Sequence, residues 1–207
     1  MVRAQPTQRD LSREAVANHQ PGDYIPDPLV PSLFAWERVF KPALALVKDP
    51  PMNLVLGSVA PAFKLPCKPG EEVDVGALFG HEKVVILFFP FAYSSVCSEE
   101  MCHFRDHWAE WTSLGCKVFG VSIDSPFVVD KFRADLGIPF PVLSDFNKTV
   151  ATQYDALHDE LMGLRGVTKR AAVVIGSDGK IAYAWAAEIP KTQVDFEAIK
   201  AAVAAAR

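Results

Sequence analysis

The sequence lacks an excess of positive charge and a long apolar run. Its 21 Lys and Arg residues against 25 Asp and Glu residues leave a net charge of −4 at pH 7, which gives no basic field for nucleic acid or anionic lipid. The longest apolar run, residues 84–93, is interrupted by Pro90 and has about half the length that crosses a bilayer. Residues 1–20 contain no apolar core of a secretory signal. We therefore expect a cytoplasmic protein whose partners include neither nucleic acid nor a membrane.

Cysteine is also scarce. The chain has four cysteines among 207 residues, too few for a small domain held together by disulfides. In a reducing compartment we expect thiols that serve packing, metal binding or redox chemistry. Function then depends on which of the four stands in a reactive environment.

Proline divides the chain into two parts. Eight of the 16 prolines lie within residues 1–51, which predicts an N-terminal arm before a domain of residues 52–207. Within the arm, Ser32 can cap an amphipathic helix with an apolar residue every three or four positions. The apolar side chains of that helix are Leu33, Trp36, Phe40, Leu44 and Val47. The helix would pack on the domain or form a dimer contact, so monomer and homodimer both remain open.

From residue 52 onward, short apolar runs alternate with helical patterns. Runs rich in β-branched or aromatic residues predict strands at residues 84–89, 117–121, 171–175 and 181–185. Helical patterns cover residues 98–111, 126–136, 148–154 and 196–205. The Ser-Asp-Gly-Lys segment at 177–180 is typical of a tight turn and predicts a hairpin of the last two strands. We therefore expect an α/β fold with a mixed central sheet flanked by helices.

One cysteine lies where a predicted strand is followed by a predicted helix. Cys97 follows the strand at 84–89 and a turn, and it heads an apolar helical stripe. The stripe continues with Met101, Phe104, Trp108 and Trp111. In the first turn of a helix, unpaired N–H groups and the positive end of the helix dipole stabilise a thiolate over a thiol. Cys97 is therefore either a reactive thiolate or a small buried apolar residue, and its position favours the thiolate.

The residues around Cys97 resemble the active site of the peroxiredoxins. Pro90, Ser94 and Cys97 match that family's motif Pro-x3-Thr/Ser-x2-Cys, and the likeness covers most of the chain from residue 52 onward. The resemblance implies a thioredoxin-like fold and a cysteine that attacks the O–O bond of a peroxide and becomes a sulfenic acid, with neither a metal nor an organic cofactor. It also implies that the Ser94 hydroxyl bonds peroxide and thiolate and that Pro90 shields them. Arg170, held by Glu100, would stabilise the charge.

A sulfenic acid must be reduced again, and Cys102 is the candidate resolving cysteine. On an intact helix the Cα atoms of Cys97 and Cys102 would be about 8.7 Å apart, whereas a disulfide tolerates no more than about 7 Å. The first turns of the helix would therefore unwind in each cycle. The spacing resembles the bacterioferritin-comigratory-protein-like, atypical two-cysteine branch of the family. Resolution by Cys67 and a one-cysteine cycle with an external thiol remain alternatives, whereas we expect Cys116 to pack.

Two other functions fit parts of the pattern. A thioredoxin-like disulfide oxidoreductase would have the same fold, but it requires Cys-x2-Cys rather than four intervening residues. A non-catalytic metal-binding module would use four candidate zinc ligands, which are Cys97, Cys102, His103 and His107. A helix scatters them, because neighbours such as Cys102 and His103 point about 100° apart. We therefore predict a thiol peroxidase that reduces hydrogen peroxide or organic hydroperoxides, with electrons from thioredoxin or another thiol donor.

Overall fold

The computed structural model describes residues 52, 54–187 and 189–207. The arm predicted at residues 1–51, with its amphipathic helix, lies outside the described residues and stays a prediction. Among the helices of the described part, none is both long enough and apolar enough to span a bilayer.

The described residues form nine strands and five α-helices. The strands are β1 (Lys64–Lys68), β2 (Glu71–Asp74), β3 (Lys83–Phe88), β4 (Cys116–Ser122), β5 (Val142–Ser144), β6 (Leu157–Leu161), β7 (Leu164–Thr168), β8 (Ala171–Ile175) and β9 (Ile181–Ala186). The helices are α1 (Ser95–Asp106), α2 (Trp108–Ser113), α3 (Pro126–Leu136), α4 (Thr149–Gln153) and α5 (Phe196–Ala205). A single 3₁₀ turn, Gly76–Leu78, lies between β2 and β3.

Five strands form the central sheet, in the order β5-β4-β3-β8-β9. The strands β3, β4 and β5 are parallel, whereas β8 is antiparallel to both β3 and β9. The predicted mixed sheet and the predicted hairpin of β8 and β9 are therefore confirmed. The turn of that hairpin contains Gly179 at a φ of 76°, a left-handed conformation that glycine adopts at little cost.

The strand β3 separates two apolar layers, because its successive side chains point to opposite faces of the sheet. Val85 and Leu87 pack into one layer with α1, α2, α3 and α5. Ile86 and Phe88 pack into the other layer with β1 and α4. Because both faces of the sheet are covered at β3, its residues are apolar at consecutive positions. Cys97 lies in the first layer.

Two helices have the predicted bounds, and each begins at a recognisable signal. Pro126 is the first residue of α3, where its missing N–H costs nothing, and Gly137 ends the helix at a φ of 61°. Asp195 caps α5, because its Oδ1 accepts a hydrogen bond from the N–H of Ala198 at 2.9 Å. The predictions at residues 126–136 and 196–205 are therefore confirmed.

The helix predicted at residues 98–111 is wrong in its bounds. The helix α1 begins at Ser95 and ends at Asp106, and α2 starts after a break at His107, whose φ of −107° and ψ of 21° are not helical. The apolar spacing could not show this break, because Phe104 and Trp111 stack across it with ring centroids 4.5 Å apart. The start of α1 at Ser95 places Cys97 in the first turn.

Five short strands were not predicted, namely β1, β2, β5, β6 and β7. Each has three to five residues, which is too short for a clear alternation of apolar and polar positions. In β2, for example, three of the four residues are exposed. These strands lie outside the β3, β4 and β8 segments that position the site.

The pairing of β3 with β8 determines where Arg170 lies. Phe88, the last residue of β3, is opposite Ala171, the first residue of β8. Arg170, immediately before β8, therefore lies beside the chain that leaves β3 toward α1. Its carbonyl oxygen accepts a hydrogen bond from the N–H of Ala187 at 2.8 Å, which ties it to the end of β9.

Candidate active site

A short turn connects β3 to α1 and is fixed from the neighbouring strand. Pro90 is buried in this turn, and Tyr93 adopts a left-handed φ of 65°. The N–H of Ala92 donates to Asp124 Oδ2 at 2.7 Å, and the same oxygen accepts a hydrogen bond from Ser122 Oγ at 2.6 Å. A carboxylate that follows β4 therefore holds the turn in the conformation that starts α1.

Ser94 is the N-cap residue, immediately before the first residue of α1. Its carbonyl oxygen accepts the hydrogen bond of the Ser98 N–H at 2.9 Å. Its hydroxyl donates to the carbonyl oxygen of Phe91 at 3.1 Å, so in this structure it is directed to the turn rather than to Cys97. A hydroxyl rotates about its C–O bond and keeps two acceptor positions, and the Ser94 side chain is only half-buried.

Cys97 is the third residue of α1, where the N–H groups have no preceding carbonyl within the helix. Its thiol has 0% exposed surface and lies among apolar side chains that include Phe89, Met101 and Val194. The helix therefore presents a buried sulfur to the positive end of its own dipole.

The Arg170 guanidinium is the polar partner of this sulfur. Arg170 Nη2 donates to Cys97 Sγ at 3.3 Å, and Nε donates to the carbonyl oxygen of Pro190 at 3.2 Å. Arg170 Nη1 lies 3.2 Å from Glu100 Oε2. The Arg170 side chain is 2% exposed, so these contacts form in a site that excludes water and where charge interactions are strong.

Glu100 lies about one turn after Cys97 and contacts the same Arg170 guanidinium. Its Oε2 also accepts a hydrogen bond from the N–H of Val194 at 3.3 Å. The side chain is fully buried, and this burial raises the pKa of Glu100, although Arg170 and the Val194 N–H act in the opposite direction. One cation therefore faces two acidic groups, the thiol and the carboxyl.

This burial predicts how the stability of a Glu100→Gln variant changes with pH. A carboxyl whose pKa is raised on folding contributes stability that is present below its unfolded value of about 4.3 and is lost as the pH rises. Glutamine does not titrate. The free energy of unfolding of Glu100→Gln relative to wild type is therefore expected to increase as the pH rises above the unfolded value of about 4.3, measured by urea denaturation.

Glu99→Gln is the matched control, because Glu99 stands next to Glu100 but is exposed and is bonded to Gln193 at the surface. The relative stability of this control should change less over the same pH range. If the free energy of unfolding of Glu100→Gln relative to wild type stays constant or falls as the pH rises, the effect of burial on the pKa of Glu100 is contradicted.

All four cysteines are free thiols, and Cys102 shares α1 with Cys97. Cys102 is half-buried. Because α1 is helical throughout Ser95–Asp106, the two Cα atoms are separated by about 8.7 Å in ideal helical geometry. A disulfide between them requires α1 to unwind locally, as the sequence predicted.

Cys67 and Cys116 stand in different surroundings from Cys97. Cys67, in β1, packs in the layer on the opposite face of the sheet and donates to the carbonyl oxygen of Glu71 at 3.6 Å. Burial and then Glu71 raise the pKa of Cys67. Cys116 begins β4 and therefore lies about 20 Å from the far end of that strand. Its thiol donates to the carbonyl oxygen of Trp111 at 3.5 Å, and burial raises its pKa.

The two histidines of the zinc alternative make ring contacts with each other and with Phe196. The His103 ring stacks on His107 with centroids 4.3 Å apart and on Phe196 with centroids 3.6 Å apart. In the part of the chain that the structure describes, no three His, Cys, Asp or Glu side chains come together as a metal site. The geometry therefore favours a thiol and guanidinium site over a zinc module.

The sequence did not identify the residues whose hydrogen bonds fix the turn before α1 and the side chains of Arg170 and Glu100. Asp124 fixes the turn before α1, while Pro190 and Val194 bond Arg170 and Glu100 through backbone atoms. Backbone contacts leave no residue-type signal in a sequence. Asp124 had one weak signal, since it follows the predicted strand at 117–121 on the edge where Cys97 emerges from its own strand.

Comparisons with known proteins identify the family of this chain. The chain matches the AhpC/TSA family over residues 56–184. It is 33% identical over 147 residues to the bcp protein of Coxiella burnetii, with 70% of this chain and 93% of that protein covered. The solved structure of peroxidoxin BcpB from Mycobacterium tuberculosis superposes with a TM-score of 0.64 at 29% identity, over 73% of this chain and 97% of that one.

A second solved structure is that of the bacterioferritin comigratory protein of Xanthomonas campestris, a protein with alkyl peroxide reduction activity. It superposes with a TM-score of 0.57 at 26% identity, over 70% of this chain and 89% of that one. Both structural matches confirm the predicted thioredoxin-like fold, and the family match confirms the resemblance noted around Cys97. The chain belongs to the AhpC/TSA family and is a Bcp-like peroxiredoxin, an enzyme that acts as a thiol peroxidase.

Proposed function

We propose that Cys97 is the residue that reduces peroxide, because Arg170 Nη2 lies 3.3 Å from its sulfur inside a buried site. The thiolate of Cys97 attacks one oxygen of the peroxide, so that an S–O bond forms as the O–O bond breaks. The sulfur is oxidised to a sulfenic acid. The departing oxygen is reduced, takes up a proton and leaves as water or an alcohol.

The surrounding groups stabilise the charge that this step moves. Negative charge shifts from the Cys97 sulfur to the departing oxygen, and fixed donors at both positions lower the barrier. Arg170 and the first N–H groups of α1 supply such donors. The Ser94 hydroxyl, after rotation away from the Phe91 carbonyl, would donate to the peroxide, and the buried Pro90 would shield the reacting atoms from water.

Peroxide reaches this sulfur only after a small opening, since Cys97 has no exposed surface. Ser94 lies three residues before Cys97 at the start of α1, the Pro190 carbonyl accepts a hydrogen bond from Arg170, and both residues are only half-buried. We expect movement at these two positions to admit the substrate. Hydrogen peroxide is small enough for such an opening, and the alkyl peroxide activity of the Xanthomonas relative supports organic hydroperoxides as a second substrate class.

The function is tested by peroxide consumption. The purified reduced protein should consume hydrogen peroxide and an alkyl hydroperoxide in the presence of a thiol reductant such as thioredoxin with its reductase. Turnover with neither peroxide would overturn the proposal, and disulfide reduction without peroxide turnover would favour the thioredoxin-like alternative. We also propose that the enzyme is cytoplasmic and is either a monomer or a homodimer. Sedimentation at the protein concentration of the peroxide assay distinguishes these two oligomeric states.

We further propose that Cys102 resolves the sulfenic acid. It is the cysteine nearest to Cys97 in sequence and lies on the same helix, whereas Cys67 packs on the other face of the sheet. In a Cys102→Ser variant, the Cys97 sulfenic acid should persist at least about tenfold longer than in wild type, because the intramolecular thiol is gone. Trapping with dimedone followed by peptide mass spectrometry measures this lifetime.

Wild type treated in the same way should show a Cys97–Cys102 link under non-reducing conditions. A sulfenic acid that persists equally in wild type would contradict the resolving role and support the one-cysteine cycle. A link between Cys97 and Cys67 would transfer the role to Cys67.

A further inference from the structure

The guanidinium of Arg170 contacts two side chains that can each become negative. Its Nη2 donates to Cys97 Sγ at 3.3 Å, and its Nη1 lies 3.2 Å from Glu100 Oε2. Cys97 and Glu100 are three residues apart on α1, so their side chains lie on the same face of that helix. Neither has exposed surface, and Arg170 is only 2% exposed. The buried site therefore combines one positive charge with two acidic groups.

One cation cannot neutralise two anions in a site that excludes water. A thiolate at Cys97 together with a carboxylate at Glu100 would leave one buried negative charge without a partner, which is strongly unfavourable. When two acidic groups interact in this way, one of them keeps its proton and the two titrate as a pair. With Arg170 positive, the three side chains are neutral together when the pair holds one proton.

The contacts of Glu100 indicate where this proton lies. Glu100 Oε2 faces Arg170 and accepts a hydrogen bond from the N–H of Val194 at 3.3 Å, so this oxygen acts as an acceptor. Glu100 Oε1 is also buried, and among the residues that the structure describes none is hydrogen-bonded to it. A charged oxygen without a donor is unfavourable in such a place, whereas a carboxyl protonated at Oε1 is neutral. Burial also raises the pKa of Glu100, against the effects of Arg170 and the Val194 N–H.

The other charged side chains of the neighbouring segments have partners elsewhere. Glu99 is exposed and is bonded at the surface, and Asp195 caps α5. The ammonium group of Lys169 donates to a backbone carbonyl oxygen. Arg170 is the charged side chain that acts on the Glu100 carboxyl, so the balance of charge is set within the buried site.

We propose that Glu100 holds the proton of the buried site in the reduced enzyme and gives it to the departing oxygen of the peroxide. The inference rests on the proposed function, in which the thiolate of Cys97 attacks the peroxide. As the S–O bond forms and the O–O bond breaks, the sulfur is oxidised to a neutral sulfenic acid, and the departing oxygen is reduced and takes the proton of Glu100. Glu100 becomes a carboxylate and replaces the thiolate as the anion beside Arg170. The net charge of the site is therefore the same before and after the step.

The leaving group of the oxidant tests this role. Hydrogen peroxide releases hydroxide, which requires a proton to leave readily, whereas peracetic acid releases acetate, which does not. In Glu100→Gln the side chain keeps its size and its carbonyl oxygen can accept from the Val194 N–H, but it has no acidic proton. Oxidation of Cys97 by hydrogen peroxide should be about 10²-fold slower than in wild type, while oxidation by peracetic acid should stay close to the wild-type rate. Quenched flow of the full-length reduced protein, with peptide mass spectrometry of Cys97, measures both rates.

Glu99→Gln is the matched control and should react with both oxidants at the wild-type rate. A side chain that only positioned Arg170 would affect both oxidants alike, because the same thiolate attacks each of them. An equal loss with the two oxidants in Glu100→Gln, or no loss with either, overturns the inference and leaves peroxide reduction by Cys97 intact. If Cys97 of wild type reacts with neither oxidant, the proposed function fails together with the inference.

A second measurement requires no substitution at Glu100. An ordinary glutamate is ionised at about pH 7, so a protonated glutamate can be recognised by its infrared carbonyl band. In a protein with isotope-labelled glutamate carboxyl groups, this band should be present in the reduced state and lost when hydrogen peroxide oxidises Cys97. The label separates Glu100 from Asp145, which is the other fully buried carboxyl among the described residues. The spectra are recorded in Cys102→Ser, so that Cys97 cannot form a link to that residue. A protonated glutamate that is absent from the reduced protein, or unchanged by oxidation of Cys97, contradicts the inference.

Discussion

Replacement of Cys97 by serine is expected to lower the rate of peroxide reduction by at least about 10³-fold. A serine hydroxyl stays protonated at neutral pH even beside a guanidinium, and oxygen cannot form the sulfenic acid on which the cycle depends. The exchange of sulfur for oxygen in a buried site preserves the shape of the side chain, so the fold should be retained. The measurement is the initial rate of peroxide consumption with a thiol reductant present.

Cys67→Ser is the matched control for this experiment. Cys67 is a thiol of the same protein, but it packs on the opposite face of the sheet from Cys97, and its variant should consume peroxide at the wild-type rate. Retained activity in Cys97→Ser together with loss in Cys67→Ser would show that the reactive thiol has been assigned to the wrong residue.

The second large effect is expected for Arg170→Met, with a loss of about 10²–10³-fold in peroxide reduction. Methionine fills a similar volume but provides no donor at Cys97 and no charge for the departing oxygen. Arg170→Lys should recover only part of the rate, because an ammonium group cannot contact Cys97, Glu100 and Pro190 at once as the planar guanidinium does.

Loss of Arg170 also leaves the buried Glu100 carboxyl without its cation, which destabilises the fold. The double variant Arg170→Met/Glu100→Gln removes both charges and separates this effect from catalysis. It should be more stable than Arg170→Met alone and equally inactive. Recovery of activity in the double variant would mean that Arg170 serves only to neutralise Glu100.

The elements around Cys97 could be predicted from the sequence because their signals are local. An uninterrupted apolar run predicted β3, and the residue spacing after Cys97 predicted a helix with a buried stripe. Pro126 and Gly137 at the ends of α3 made its bounds predictable to the residue. Each of these signals arises from a few neighbouring residues and does not depend on the rest of the chain.

The partners of Cys97 could not be predicted in the same way, because they come from distant segments. Arg170 reaches the sulfur only through the antiparallel register of β3 and β8, and a strand-end arginine by itself indicates no role. The family resemblance selected it instead. The Pro190 carbonyl and the Val194 N–H are backbone groups, which any residue could have supplied at those positions.

The break at His107 illustrates a different limit. Apolar residues on both sides of it keep helical spacing and stack on each other, so the periodicity continues where the backbone does not. The break ends α1 at Asp106, about one turn after Cys102. Tertiary packing rather than local propensity therefore sets the length of the helix that carries both Cys97 and Cys102.

The most direct measurement is a map of all four thiols after the reduced protein meets a single equivalent of hydrogen peroxide. Peptide mass spectrometry under non-reducing conditions assigns the oxidation state of each cysteine. The site described here predicts that Cys97 is oxidised, as a sulfenic acid or as a link to Cys102, while Cys67 and Cys116 remain thiols. Oxidation of Cys67 or Cys116 with Cys97 still reduced would contradict the assignment of Cys97 as the thiol that reduces peroxide.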